Sequence, residues 1–206
     1  MTPVYKLSAS SITGRTNYGS MLAGNTAYEL PGDFESIATV SVGSGGAANV
    51  EFTSIPATFT HLQIRCIVQS NRGGGVGGDD LVIQFNADTT YTNYGYTHRL
   101  YGDGSSATAD NFNSSPQSRG AGWMSANQHT NILSGNVIDI LDYKNTNKNK
   151  TIRALSGADY NGTGYIVLSS GCWYNTNAIT SILLKPAIGT LINQYSQFAL
   201  YGIRSA

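Results

Sequence analysis

The sequence predicts an all-β fold, a jelly-roll-like β-sandwich preceded by an extended N-terminal arm. Three observations carry this. From Asp33 onward apolar residues recur with the period of two that marks a strand with one buried face. No stretch of four helical turns shows a stripe at 3.6-residue spacing. The composition, with 24 Gly and 13 Tyr against 3 Met, favours strands and turns over helices.

Residues 1–32 differ from the rest. They are rich in Ser, Thr, Asn and Gly, with apolar anchors at Tyr5, Leu7, Tyr18, Met21, Leu22 and Tyr28, and offer at most a short helical turn near Tyr18–Ala23. Such a segment buries little by itself and loses ordering entropy. It is either a disordered tail or an arm that orders on a partner, and the spaced anchors favour an attachment arm. The domain division is therefore an arm over 1–32 and a sandwich over 33–206.

The strands follow in order. SIATVSV (Ser36–Val42) alternates, GSGGA reads as a hairpin turn, and ANVEFTSI (Ala48–Ile55) returns until Pro56, which cannot donate to a ladder. Leu62, Ile64, Cys66 and Val68 alternate in the next strand, and Leu81, Ile83 and Phe85 in the one after. Between them lies RGGGVGGDD, with glycine at five of six successive positions, read as a mobile hairpin loop. Thr92–Gly102 is Tyr-rich. Tyr94, Tyr96, His98 and Leu100 fall on one face, and Gly95, Thr97, Arg99 and Tyr101 on the other. Asp103–Gly122 reads as the longest polar loop. Further strands are expected from Trp123, then over Ile132–Tyr143, Lys150–Leu155, Gly164–Tyr174, Ala178–Lys185 and Gln194–Arg204. About ten strands at this spacing, with long connections, fit a sandwich or jelly roll better than an up-and-down barrel.

The charge balance narrows the partners. Lys and Arg total 12, Asp and Glu 12, and charged residues make up 12% of the chain, against about 25% in average globular proteins. No basic cluster tracks a phosphate backbone. KNTNKNK (Lys144–Lys150) reads as a turn, and no nucleic-acid partner is expected. The N-terminus lacks a signal-peptide layout and no apolar run approaches the ~18–20 residues that cross a bilayer, so a soluble protein made in a cytoplasm, without membrane insertion, is expected. Cys66 and Cys172 sit in apolar strand contexts and read as buried free thiols rather than a disulfide pair.

Chemistry is sparse. His61, His98 and His129 show no metal-ligand spacing and read as strand-surface or hydrogen-bonded side chains. GGGVGGDD lacks the Lys and Ser/Thr of a phosphate cradle. Asp79 with Asp80, or Asp103 with Asp110, do not match the alternating acids of a helix-loop-helix calcium loop. There is no Gly-x-Ser-x-Gly elbow, and nothing motivates a facing carboxylate pair. A non-enzymatic protein without cofactor or metal is expected. Aromatics are more suggestive. Tyr91, Tyr94, Tyr96 and Tyr101 lie near Phe112, Arg119 and Trp123 in sequence. Tyr94, Tyr96, Tyr101, Arg119 and Trp123 are candidates for a ligand or receptor face that suits a neutral polar ligand such as a sugar, or a protein partner. The alternative is that these rings are sheet-facing core residues.

FTSIPATFTHLQIRC (Phe52–Cys66), RLYGDGS (Arg99–Ser105) and the closing QFALYGIRSA (Gln197–Ala206), with ESIATVSVGSGGAANVEFTSIP before them, resemble a domain that recurs among tailed-phage virion proteins of tail-fibre or minor structural type. The resemblance spans about Asp33 to Ala206 and rests on structural motifs. It implies a virion surface protein, a homotrimer whose arm docks on capsid or tail proteins and whose sandwich projects outward. The role would be a tail-fibre receptor-binding protein, with a host-surface glycan as a further partner, or a capsid decoration (cement) protein. A free-standing lectin-like carbohydrate-binding module is the other class of function.

Overall fold

The computed structural model of the chain describes residues 33–75, 77–112 and 118–204, the side chains of 118–121 excepted. The arm anchors, the helical turn proposed near Tyr18–Ala23 and the last two residues lie outside these. Twelve strands are present: β1 Phe34–Ser41, β2 Val50–Phe52, β3 His61–Val68, β4 Gly78–Phe85, β5 Thr97–Gly102, β6 Ala107–Phe112, β7 Ser118–Ser125, β8 Ser134–Leu141, β9 Lys150–Asp159, β10 Gly164–Trp173, β11 Ile182–Pro186 and β12 Gln197–Ile203. Among the described residues the one helical element is a 3-10 turn at Tyr91–Asn93.

The strands form two antiparallel sheets, β1-β12-β3-β8-β9-β10-β5-β6 and β2-β11-β4-β7. With the β5–β6 and β9–β10 hairpins set aside, β1-β12-β3-β8 faces β2-β11-β4-β7. The chain then changes sheet at every step except β4 to β7, which pair directly. That is the double Greek key of a jelly roll. The two hairpins widen only the first sheet.

Alternation matches the burial in β3 and β8, whereas β4 is buried on both faces, Val82 as fully as Leu81 and Ile83. In β3 Leu62, Ile64, Cys66 and Val68 point inward, and in β8 Ile138 and Ile140 are buried while Val137 faces out. They meet Leu81, Ile83 and Phe85 of β4, and Ile182 and Leu184 of β11, in one core.

Pairing departs from expectation in two places. β1 and β2 do not form a hairpin: β1 pairs with β12 and β2 with β11, in different sheets. Likewise β3 and β4 lie in opposite sheets, so the glycine run is a crossing between layers, not a hairpin loop. A period of two reports which face is buried and is blind to whether the next strand pairs or crosses over. The polar stretch 103–122 also carries structure. Asp103–Ser106 is a tight turn, β6 returns along β5, and β7 already begins at Ser118. β6 is exposed at its sheet edge, so its sequence (ATADNF) shows no apolar face. The Lys144–Lys150 run is a turn between β8 and β9 as expected, but Lys150 itself is buried. Its ammonium donates to the carbonyls of Asn145 (2.6 Å), Lys148 (2.9 Å) and Thr176 (3.0 Å).

Candidate functional site

β7, at the edge of the narrower sheet, packs against β8, β9, β10 and β5 of the wider one. Under this overhang lies the main cluster of polar and aromatic side chains. Arg99 points inward from β5. Its guanidinium takes Asp110 of β6 in a two-pronged pair (2.6 and 2.8 Å) and Asp80 of β4 at 2.9 Å. The Arg99 and Asp80 side chains are only 12% and 6% exposed. The same guanidinium lies 4.3 Å from the ring centre of Phe112, 4.9 Å from Tyr101 and 5.7 Å from Trp123. Burial alone would favour the neutral form, but the carboxylates of Asp110 and Asp80 outweigh it and hold Arg99 charged.

Beside the triad is a cleft of about 230 Å³. Trp123, Tyr101 and Tyr165 form its walls, Arg72 and Arg99 its polar side, and Gly77–Gly78 its rim. The rim explains the last two glycines of the run. A Cβ on Gly78 would lie 2.4 Å from the Trp123 ring, and one on Gly77 would lie 2.7 Å from Tyr165. The backbone rests directly on the rings, which only glycine permits. The ring cluster continues outward: Trp123 and Tyr165 have centroids 5.5 Å apart, Tyr165 meets Tyr160 edge-on at 6.2 Å, and His129 stacks on Tyr160 at 3.6 Å.

The predicted ligand face is only partly assembled. Tyr101 and Trp123 meet in the cleft. Tyr94 does not share a face with Tyr96. It lies 1% exposed in the core, where its hydroxyl accepts the Phe85 N–H and donates to the Asp88 carbonyl. The 3-10 turn just before it breaks the alternation and swings it inward. Tyr96 is exposed beside His98 on the outer side of the sheet. Arg119 belongs to β7, and its side chain is outside the described residues. Arg99, Tyr160 and Tyr165 are not among the candidates the sequence offers for this face, and His129 reads there only as a strand-surface or hydrogen-bonded side chain. The pattern of Thr92–Gly102 did place Arg99 and Tyr101 together, but nothing local ties Tyr160 or Tyr165 to them.

The loop acids all have structural partners. Asp79 accepts from Ser70 Oγ and from the N–H groups of Asp80 and Gly189, and Asp103 closes its own turn on Ser105 and Ser106. Among the described residues no group of three or more His, Cys, Asp or Glu is placed to hold a metal ion. His61 accepts the Asp142 N–H, as a hydrogen-bonded strand residue would. Both cysteines are free. Cys66 is buried, and burial pushes its thiol up; Cys172 is half-buried on the outer face rather than fully buried. What the cleft offers is ring faces and guanidinium donors, with its two carboxylates already engaged by Arg99.

A second feature lies on the outside of the wider sheet. Val137, Leu155, Leu168 and Leu100 stand opposite one another across β8, β9, β10 and β5. Each is between 37% and 52% exposed. In the adjoining row Ile67 and Ile166 are separated by Gly135 and Gly157, which leaves an apolar groove of about 690 Å³. On the other side the band ends at a polar row, where Asp139 accepts from Gln63 and Arg153 at 2.8 Å each.

The fold thus defines a jelly-roll β-sandwich with an aromatic cleft and an apolar outer face. Comparison with protein-family models, with curated proteins and with solved structures finds no match to this chain.

Proposed function

We propose that the chain is a non-enzymatic virion surface protein of a tailed phage. Residues 1–32 anchor it, and the jelly roll is the projecting head of a tail-fibre receptor-binding or capsid decoration protein. The observation that carries the reading is the apolar band on the outer sheet face. An exposed apolar surface of several in-register strands, rimmed by polar residues, is what an assembly contact looks like on a separated subunit. The band is apolar between Arg65 at one end and Asp159 beside the groove, which suits a second copy of the same chain, and closed cyclic symmetry is the common outcome for like subunits. The sequence resemblance to phage virion domains supports the same reading, and jelly rolls serve in viral capsids among other settings.

The test is solution mass. Light scattering is expected to give a homotrimer, about three times the 21.9 kDa of one chain. A Leu155→Lys/Leu168→Lys variant places two like charges opposite each other in the band. It is expected to run as a monomer with its melting temperature within a few degrees of the parent. A monomeric parent at micromolar concentration would remove the basis for the assembly face. Densitometry of purified virions then separates the two placements, since a lattice-bound decoration is present in far more copies than a fibre.

A further inference from the structure

Four connections converge at one end of the sandwich: residues 42–49, 69–75, 126–133 and 187–196. They are laced together by backbone bonds, Ala47 with Ile192 in both directions (2.9 and 2.7 Å), Asn193 N–H to the Gln69 carbonyl (2.8 Å) and Asn127 N–H to the Arg72 carbonyl (3.0 Å). Between them is a basin of about 440 Å³. Its lining contains no charged and no aliphatic side chain; it consists of glycine backbone, amides, one threonine and one tyrosine.

The floor is fixed. Gln69 is 7% exposed, and its Nε2 donates to the carbonyls of Ala126, His129 and Ile132 (3.3, 2.7 and 3.1 Å). Its Oε1 accepts from Asn193 Nδ2 at 2.9 Å, and the same amide reaches Asn127 Oδ1 at 3.1 Å. The rim is different. Thr130, Asn131, Gln194 and the Tyr195 hydroxyl make no hydrogen bond among the described residues. Tyr195 is 71% exposed and holds a left-handed backbone with φ 70°. That backbone belongs to the Asn193–Ser196 turn, closed by the Ser196 N–H on the Asn193 carbonyl at 3.3 Å, and the turn presents the ring beside the basin. The turn fixes the backbone, while the ring itself stands in solvent at the edge of the basin.

Rim amides free to donate and accept, set over a fixed floor and beside an open ring face, match a ligand with many hydroxyls and an apolar C–H face. The absence of any cation or carboxylate disfavours a charged ligand, whose lost hydration would find no partner. We propose that this basin binds a neutral saccharide, with Tyr195 as the stacking platform and Thr130, Asn131 and Gln194 as hydroxyl partners over the Gln69–Asn193 floor. The site is separate from the aromatic cleft and stands whether or not the chain belongs to a virion.

The test uses the full chain. Glucose, galactose, mannose and N-acetylglucosamine are titrated singly while backbone amide resonances are followed, and an array of neutral and sialylated oligosaccharides is probed in parallel. At least one neutral sugar is expected to shift resonances in the four connections, and the array is expected to retain neutral in preference to sialylated glycans. Tyr195→Asn keeps a residue that tolerates the left-handed backbone but removes the ring. It is expected to weaken binding at least tenfold with the melting temperature unchanged or raised, while Tyr195→Phe retains binding. No neutral sugar or glycan bound, shifts located away from the basin, or a Tyr195→Asn protein that binds normally or melts well below the parent would each overturn the proposal.

Discussion

Arg99 is the side chain on which the wide and narrow sheets are pinned together, because Asp110 comes from the added hairpin and Asp80 from the smaller sheet. Removing the guanidinium takes the shared cation from the buried Asp80 and from the partly exposed Asp110, which costs about 3 kcal/mol. Arg99→Met is expected to lose that much stability in urea denaturation at neutral pH. Arg99→Lys should recover little of it, since an ammonium lacks the planar fork that serves two carboxylates at once. Asp88 supplies a pH-dependent counterpart. Burial pushes its carboxyl up, but hydrogen bonds from Asn93, from Thr90 and from the Trp173 indole together outweigh that and hold it at about 2. A carboxyl depressed in the folded state stabilises above its unfolded value of about 4, and that contribution is lost as pH falls from there toward 2. Stability is therefore expected to drop by roughly 1–2 kcal/mol across this window on account of Asp88. Asp88→Asn should flatten that limb in denaturant titrations run at successive pH values.

At the scale of elements, what could be read in advance was the burial pattern, and what could not was everything set by distant partners. The alternation of Leu62–Val68 and Val137–Leu141 is local and survived intact. The sheet crossings after β1 and β3 leave the same alternation as hairpins would, so no local signal distinguished them. The inward turn of Tyr94 and the burial of Lys150 depend on a 3-10 turn and on carbonyls supplied by residues 145–148 and 175–176. The glycine run is the sharpest case: flexibility is what its composition suggests, and close approach to Trp123 and Tyr165 is what its last two members, Gly77 and Gly78, provide. Gly78→Ala is accordingly expected to cost about 2 kcal/mol through overpacking and to shift the tryptophan fluorescence. Gly73→Ala, where a Cβ would meet nothing within 4 Å, should be close to neutral.

For the whole molecule, the proposed anchoring by residues 1–32 is the reading that a truncation tests. Among the described residues the start of the sandwich is held by its own strands. β1 is paired along its length with β12, the Arg204 N–H donates to the Asp33 carbonyl at 2.9 Å, and the Arg204 guanidinium lies 3.5 Å from Glu35. Residues 1–32 carry six large anchors, Tyr5, Leu7, Tyr18, Met21, Leu22 and Tyr28. Burying each is worth roughly 1.5–3 kcal/mol, on the order of 10 kcal/mol together. Ordering about thirty residues costs more than that, at roughly 1–2 kcal/mol apiece. The balance turns favourable when backbone hydrogen bonds to a partner are added and when a trimer presents three arms at once. A chain beginning at Asp33 is therefore expected to fold with a melting temperature within a few degrees of the full protein, yet fail to join particles that lack the intact chain. If the shortened protein loads onto such particles as well as the full one does, attachment belongs to the sandwich, and the apolar outer face becomes the surface to test next.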